Sequence, residues 1–181
     1  HTFRGKSRRF ESSINGWRNP SLRTNFQSKN MNFPITFSLL SDIPAEKVRL
    51  HICWGNYEGP HVCDISMAKM FDTLMTVKPS KVLFETSNPR HGHEWAVFRD
   101  RKADIPDNKV LVPGVVDSTT NFVEHPELVA QRIERFKNIV GSERVIAGSD
   151  CGFGTFAGFG AVDPDIAYAK LKSLADGAAL T

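Results

Sequence analysis

An α/β fold made of four consecutive βα units is the architecture this sequence predicts, and three observations carry it. Strand-like runs recur at Val48–Cys53, Lys81–Glu85, Lys109–Val116 and Arg144–Gly148, with starts 33, 28 and 35 residues apart. Helical patterns fill the intervals. The strand runs are rich in apolar residues, as strands covered on both faces of a parallel sheet are. A repeat of about 30 residues suits one side of a (βα)₈ barrel, whose full complement takes about 250 residues. A small open doubly wound sheet is the alternative. No Gly-rich loop follows the first strand, which speaks against a nucleotide site there.

Each helix has its own punctuation. Asp64 is placed to cap a helix over Ile65–Val77, which Pro79 ends. A short helix is expected between Gly92 and Arg101. Pro126 fits the first turn of a helix running through Ile139, with Gly141 as its stop. Its apolar face is approximated by Leu128, Ile133, Phe136 and Ile139–Val140. Asp163 and Pro164 open a last helix to about Ala175, and Gly177 follows it. On the sheet, Leu50, Leu83 and Val115 are read as pointing to the barrel interior. Four strands leave two edges open, which predicts self-association.

The chain of 181 residues, 40% of them hydrophobic, is long enough for one ordinary domain. Its charge is unevenly spread. Residues 1–40 carry seven Lys/Arg against the single acid Glu11, a balance of +6, while residues 41–181 balance at −3. Residues 1–30 lack periodicity, and Ser12, Ser13, Asn15, Gly16, Asn19 and Pro20 read as turns. The expected organisation is a poorly structured basic leader over 1–40 and a βα domain over 41–181. A nucleic-acid-binding tail or an organelle-targeting peptide is the alternative for the leader. The chain opens on His1, which suggests processing or a piece of a longer protein, and Met31 is an internal candidate start. No apolar run reaches the roughly 18 residues of a membrane span. Three widely spaced cysteines, Cys53, Cys63 and Cys151, argue against a disulfide framework and for a reducing, cytoplasmic compartment.

The chemistry gathers where strands end. In a strand, residues i and i+2 share a face, so His51 and Cys53 project together. Glu85 ends the second strand, and Cys151 follows the fourth within Ser149-Asp150-Cys151-Gly152. C-terminal strand ends are where barrels and open α/β sheets build sites. His51, Cys53, Glu85 and Cys151 offer N, S, O and S, a plausible tetrahedral set for Zn²⁺. Taken singly, each has an ordinary alternative: a satisfied His, a solvated Glu, a small buried Cys. Cys63 is read as such a buried Cys. Asp117 ends the third strand and is the candidate to bind a substrate amine or orient a ligand. Arg90, His91 and His93 are candidates for the rim, with Arg90 able to pair with an anion. Asp150 is a candidate to hydrogen-bond a ligand His, while Asn56 and Tyr57 read as loop packing.

From about Ile43 to Ala175 the sequence resembles the C-terminal barrel of cobalamin-independent methionine synthases. The resemblance lies in His51-x-Cys53, in Phe84-Glu85-Thr86-Ser87, in Gly114-Val115-Val116-Asp117 and in Ser149-Asp150-Cys151-Gly152. A sister group that includes epoxyalkane:coenzyme M transferase is more similar still, through Trp54-Gly55-Asn56-Tyr57-Glu58-Gly59-Pro60-His61, Asn88-Pro89-Arg90-His91-Gly92-His93-Glu94-Trp95 and the run Ala147–Thr155. The resemblance implies the C-terminal half of a TIM barrel and a zinc ion on His51, Cys53, Glu85 and Cys151. It also implies alkyl or methyl transfer to a small-molecule thiol, with a thiol and an alkyl donor as partners and no specific nucleic acid. Ser118 and Thr119 stand where methionine synthases carry a catalytic His, which points away from folate-dependent transfer. Two other readings stand beside it. One is a non-catalytic zinc-stabilised or interaction module. The other is a metal-dependent hydrolase, which the two-thiolate set disfavours.

Overall fold

The computed structural model describes residues 40–56, 58–154 and 162–181. The leader expected over residues 1–40, Leu40 apart, and the loop reading of Tyr57 lie outside the described residues. Among the described residues four strands form the sheet: β1 (Arg49–His51), β2 (Lys81–Phe84), β3 (Val110–Val116) and β4 (Gly148–Ser149). They lie in the order β1-β2-β3-β4, every pair parallel. Leu50 pairs with Val82, Leu83 with Val112, and Gly114 with Gly148. Strands adjacent in sequence and in space, each joined by a crossover, curl into half a barrel.

Among the described residues four α-helices supply the crossovers and the cover: α1 (Met67–Thr76), α2 (Trp95–Asp100), α3 (Pro126–Val140) and α4 (Pro164–Ala178). Val82 and Phe84 of β2 face this layer and are 0% and 1% exposed, whereas Leu83 on the opposite face is half-buried. Leu50, paired with Val82, lies on the helix-facing side and not in the barrel interior. Period-2 alternation thus gives β2 one packed face and one partly open face. The packed face centres on phenylalanines. Phe84 stacks on Phe98 at 4.5 Å between ring centroids, and Phe71 and Phe136 meet Phe98 edge-on at 5.5 and 5.6 Å. A second cluster joins Val115 and Val116 to Val129 and Ile133 of α3. Val115 therefore packs in the helix layer rather than in the barrel interior. Alternation places it there: Leu111 pairs with the helix-facing Val82, and Val115, four residues further along β3, lies on the same side.

Other expectations change by a residue or two, each for a local reason. Asp64 does not cap α1. Ser66 is the N-cap, without a side-chain bond, and the Met67 N–H donates instead to Glu94 Oε1 at 2.8 Å. The α3 stripe is Val129, Ile133, Phe136 and Val140, and Leu128 is exposed. Spacing of i, i+4, i+7 and i+11 keeps the stripe on one face, and Leu128 falls off it. Pro126 does open α3, and Gly141, with φ of 90°, ends it. The run Arg144–Gly148 is not a continuous strand. Ser142–Arg144 is a 3₁₀ turn, held because Arg144 donates to the carbonyls of Lys109 and Pro106. An isolated bridge at Val145 precedes β4. α4 continues through Gly177, where a Cβ would lie 2.6 Å from Val129 Cβ and 2.7 Å from the Pro126 carbonyl. Gly177 is therefore the point of closest approach between α3 and α4, not a helix stop.

Among the described residues no helix is long and apolar enough to cross a membrane.

Candidate metal centre

β1 ends at His51, sooner than the sequence suggests, although Ile52 N–H still donates to the Leu83 carbonyl at 2.9 Å. Cys53 lies two residues beyond the strand, at the head of a loop. Cys151 follows β4 at the other side of the sheet. The fold nonetheless brings the ligand atoms of His51, Cys53 and Cys151 within 4.8 Å of one another. His51 and Cys53 are exposed and Cys151 is buried. Glu85, 1% exposed, joins them at Cys151, its Oε1 lying 3.3 Å from the Cys151 sulfur. His51 Nε2 lies 3.5 Å from the same sulfur.

These separations suit a metal. Bond lengths of about 2.3 Å to sulfur and 2.0–2.1 Å to nitrogen or oxygen put tetrahedral S···N and S···O edges at about 3.5 Å. The donor chemistry agrees. Burial pushes the Cys151 thiol well above its ordinary value, and the charges of Glu85 and Cys53 push it further. Potential anions that raise one another's proton affinity are stabilised together by a cation.

The turn after β2 fixes Glu85. Asp150 is buried behind it, and its Oδ1 accepts the N–H groups of Thr86 (3.0 Å) and Ser87 (2.9 Å). Its Oδ2 accepts the Asn88 N–H (2.8 Å) and Asn88 Nδ2 (2.9 Å). Burial pushes the Asp150 carboxyl up to about 7 against these bonds. Every partner is a donor, so the ionised carboxylate is the form the turn accommodates. Arg132 of α3 holds the same turn through Ser87 Oγ (2.6 Å) and the Val115 carbonyl (2.8 Å). Asp150 thus anchors the Glu85 turn, not a ligand His.

Asp150 reaches this position because β3 carries glycine opposite it. A Cβ on Gly114 would lie 2.0 Å from Asp150 Oδ1 and 2.6 Å from its Cα. Gly114→Ala should therefore destabilise the fold by about 1–3 kcal/mol, as overpacking does, and weaken metal binding with it. Paired thermal melts and metal titrations check this, and a fully stable variant with unchanged binding would contradict it.

Asn56 is more than loop packing. Its Nδ2 donates to the Gly152 carbonyl at 2.7 Å and its Oδ1 accepts from Ser118 Oγ at 2.8 Å. Ser118 Oγ in turn accepts the Cys151 N–H at 3.1 Å. These bonds tie the Cys53 loop to the Cys151 loop. Asp117 is 6% exposed, and its carboxylate accepts from Thr119 N–H and Oγ1 within its own turn. It is not one of the three clustered ligands. Cys63, expected to be buried, is exposed in the loop before α1.

A pocket of about 250 Å³ has Asp64, Arg90, His91, His93 and Glu94 in its lining and none of the clustered ligands. Arg90 spans Glu85 and Asp64 at 3.6 Å each. His91 has both ring nitrogens on carboxylates, Glu94 at 2.9 Å and Asp64 at 3.1 Å, and stacks on Trp54 at 3.9 Å. Burial disfavours the charged ring, but the bonds to Glu94 and Asp64 and the charges of Glu94 and Glu85 outweigh it and raise its pKa above 6.5. The stability this contributes is fully present below pH 6.5 and is lost as pH rises through the raised value. Thermal melts of the wild-type chain should fall over that window, and His91→Gln should flatten the fall. Identical pH profiles would contradict the assignment.

No protein-family model matches the chain. Over 154 residues it is 25% identical to the 2-hydroxypropyl-CoM lyase of Xanthobacter autotrophicus (strain Py2), a match covering 72% of this chain and 39% of that protein. It also superposes on a B12-independent methionine synthase from Shewanella sp. W3-18-1, with a TM-score of 0.59 at 17% identity, over 78% of this chain and 40% of that one. The fold is half of a methionine synthase-type barrel. Both likenesses support the resemblance read from the motifs. The half-barrel spans about two-fifths of the length of either protein.

Proposed function

We propose that the half-barrel binds Zn²⁺ through His51, Cys53, Glu85 and Cys151 and serves alkyl or methyl transfer to a small-molecule thiol. The observation that carries this reading is the convergence of an imidazole and two cysteine sulfurs at strand ends, with a buried carboxylate against one of the sulfurs. Zn²⁺ held there would lower the proton affinity of a substrate thiol, a poor nucleophile while protonated. Two cysteine thiolates and Glu85 supply three negative charges, one more than the ion balances, with His51 neutral. That surplus keeps a thiol sulfur beside them electron-rich. Asn56 and Ser118 hold the two cysteine loops in register, and Asp150 holds the Glu85 turn. Asp117 is the group we assign to the polar end of the substrate.

A second reading is a zinc-stabilised module without catalysis. Elemental analysis together with a panel of thiols and alkyl donors, epoxides and methyl donors included, separates the two. Zinc with alkylation supports transfer. Zinc without alkylation across the panel supports the module, and absence of zinc contradicts both. The half-buried Leu83, on the face of β2 turned away from the helices, leads us to expect association in solution, and the three widely spaced cysteines lead us to propose a cytoplasmic setting. Sedimentation should show a species larger than the monomer, and a stable monomer with full alkylation activity would contradict that expectation.

A further inference from the structure

We propose that Asn88, held by Asp150, is the positioning residue that makes Glu85 a metal ligand by deciding which carboxylate oxygen faces the cysteines. The inference rests on the zinc reading above and adds a residue to it.

The geometry leaves Asn88 one orientation. Its Oδ1 accepts the N–H groups of Arg90 and His91, at 3.1 and 3.2 Å. Both of these are donors, so the amide oxygen must lie on that side. The Nδ2 group then points the other way with two hydrogens, and it meets two carboxylates: Asp150 Oδ2 at 2.9 Å and Glu85 Oε2 at 2.9 Å. One donor group satisfies two acceptors that would otherwise repel each other in a buried space. Asn88 is 3% exposed and Glu85 1%, so neither has water as a ready substitute. With Oε2 engaged by Asn88 and approached by Arg90 Nη2 at 3.6 Å, Oε1 is the oxygen turned to Cys151.

This arrangement gives Asn88 a role that a packing residue lacks. The Glu85 side chain has rotatable bonds and two chemically equal oxygens, and a ligand of that kind loses rotational freedom when it binds a metal. The Asn88 amide removes that freedom beforehand. Asp150 fixes the amide, and three successive N–H groups, of Thr86, Ser87 and Asn88, fix Asp150. The chain from β4 to Glu85 therefore passes through Asn88, while the two cysteines are placed by other bonds.

The test is a double-mutant cycle read by metal binding, with Zn²⁺ and Co²⁺ as probes. Asn88→Ala and the near-isosteric Asn88→Asp should each weaken zinc binding about 10- to 100-fold in competition with a chromophoric chelator. Asn88→Asp keeps the acceptor oxygen and the shape but removes both donors. In the Co²⁺ form, the cysteine charge-transfer absorption should persist while the d–d bands change, because the cysteines stay and the carboxylate moves. In a Glu85→Ala background, Asn88→Ala should add less than a twofold further loss. Fully additive losses would show a general structural role and overturn the inference. So would wild-type zinc affinity in Asn88→Asp, the variant that decides the matter if Asn88→Ala fails to fold. Wild-type protein that binds no zinc would overturn the metal reading itself, a result visible before any Asn88 variant is made.

Discussion

Cys53→Ser and Cys151→Ser should each abolish tight zinc binding, while Cys63→Ser should bind zinc as the wild-type chain does. Loss of a thiolate removes a soft donor and one of the charges that balance the ion, and at least a 10- to 100-fold loss of affinity is expected. The contrast with Cys63 gives the prediction its force. Cys53 and Cys63 are both exposed, so exposure alone cannot separate them. Proximity can, because Cys53 lies with His51 and Cys151 and Cys63 is not among the clustered ligands. Serine is close to cysteine in size, so the fold should survive at exposed Cys53. Metal content measured after dialysis checks all three variants, and equal loss in Cys63→Ser would sink the assignment.

Phe98→Ala should cost the fold about 3–5 kcal/mol, the usual range for removing a buried phenylalanine. Phe98 is fully buried and touches Phe71 of α1, Phe84 of β2 and Phe136 of α3. Its removal leaves a cavity bordered by three elements, none of which can collapse without moving the others. Such a loss is a large part of the stability of an ordinary domain. Because Phe84 adjoins Glu85, the variant should also loosen the metal site where it remains folded. Denaturant titration checks the stability, and a loss below about 1 kcal/mol would show that the four-ring cluster is not the centre of the packing.

The order of strands and helices was legible because each unit carries its own signal. Pro126, Gly141, Asp163 and Pro164 punctuate helices by their backbone chemistry alone, and the structure places them accordingly. What the sequence could not fix depended on partners distant in the chain. Asp64 has the residue type of a cap, yet it meets His61, His91 and Arg90, and Glu94 serves α1 in its place. Gly177 has the residue type of a stop, yet it sits where α4 presses on α3.

The site divides in the same way. His51, Cys53 and Cys151 stood out because few other roles require those residues at strand ends. Asn88 and Asn56 did not, since an asparagine in a Pro- or Gly-containing loop is first read as a turn residue. Their placement across 62 and 96 residues of sequence, to Asp150 and to Gly152, is a property of the folded sheet. The signal that could have found Asn88 was its place three residues after Glu85, within reach of the same carboxylate around one turn.

The measurement that bears most directly on the central claim is X-ray absorption at the zinc edge of the metal-loaded chain. Two sulfur neighbours at about 2.3 Å and two nitrogen or oxygen neighbours at about 2.0–2.1 Å are expected, from Cys53, Cys151, His51 and Glu85. A shell of nitrogen and oxygen alone, or one with a single sulfur, would contradict it.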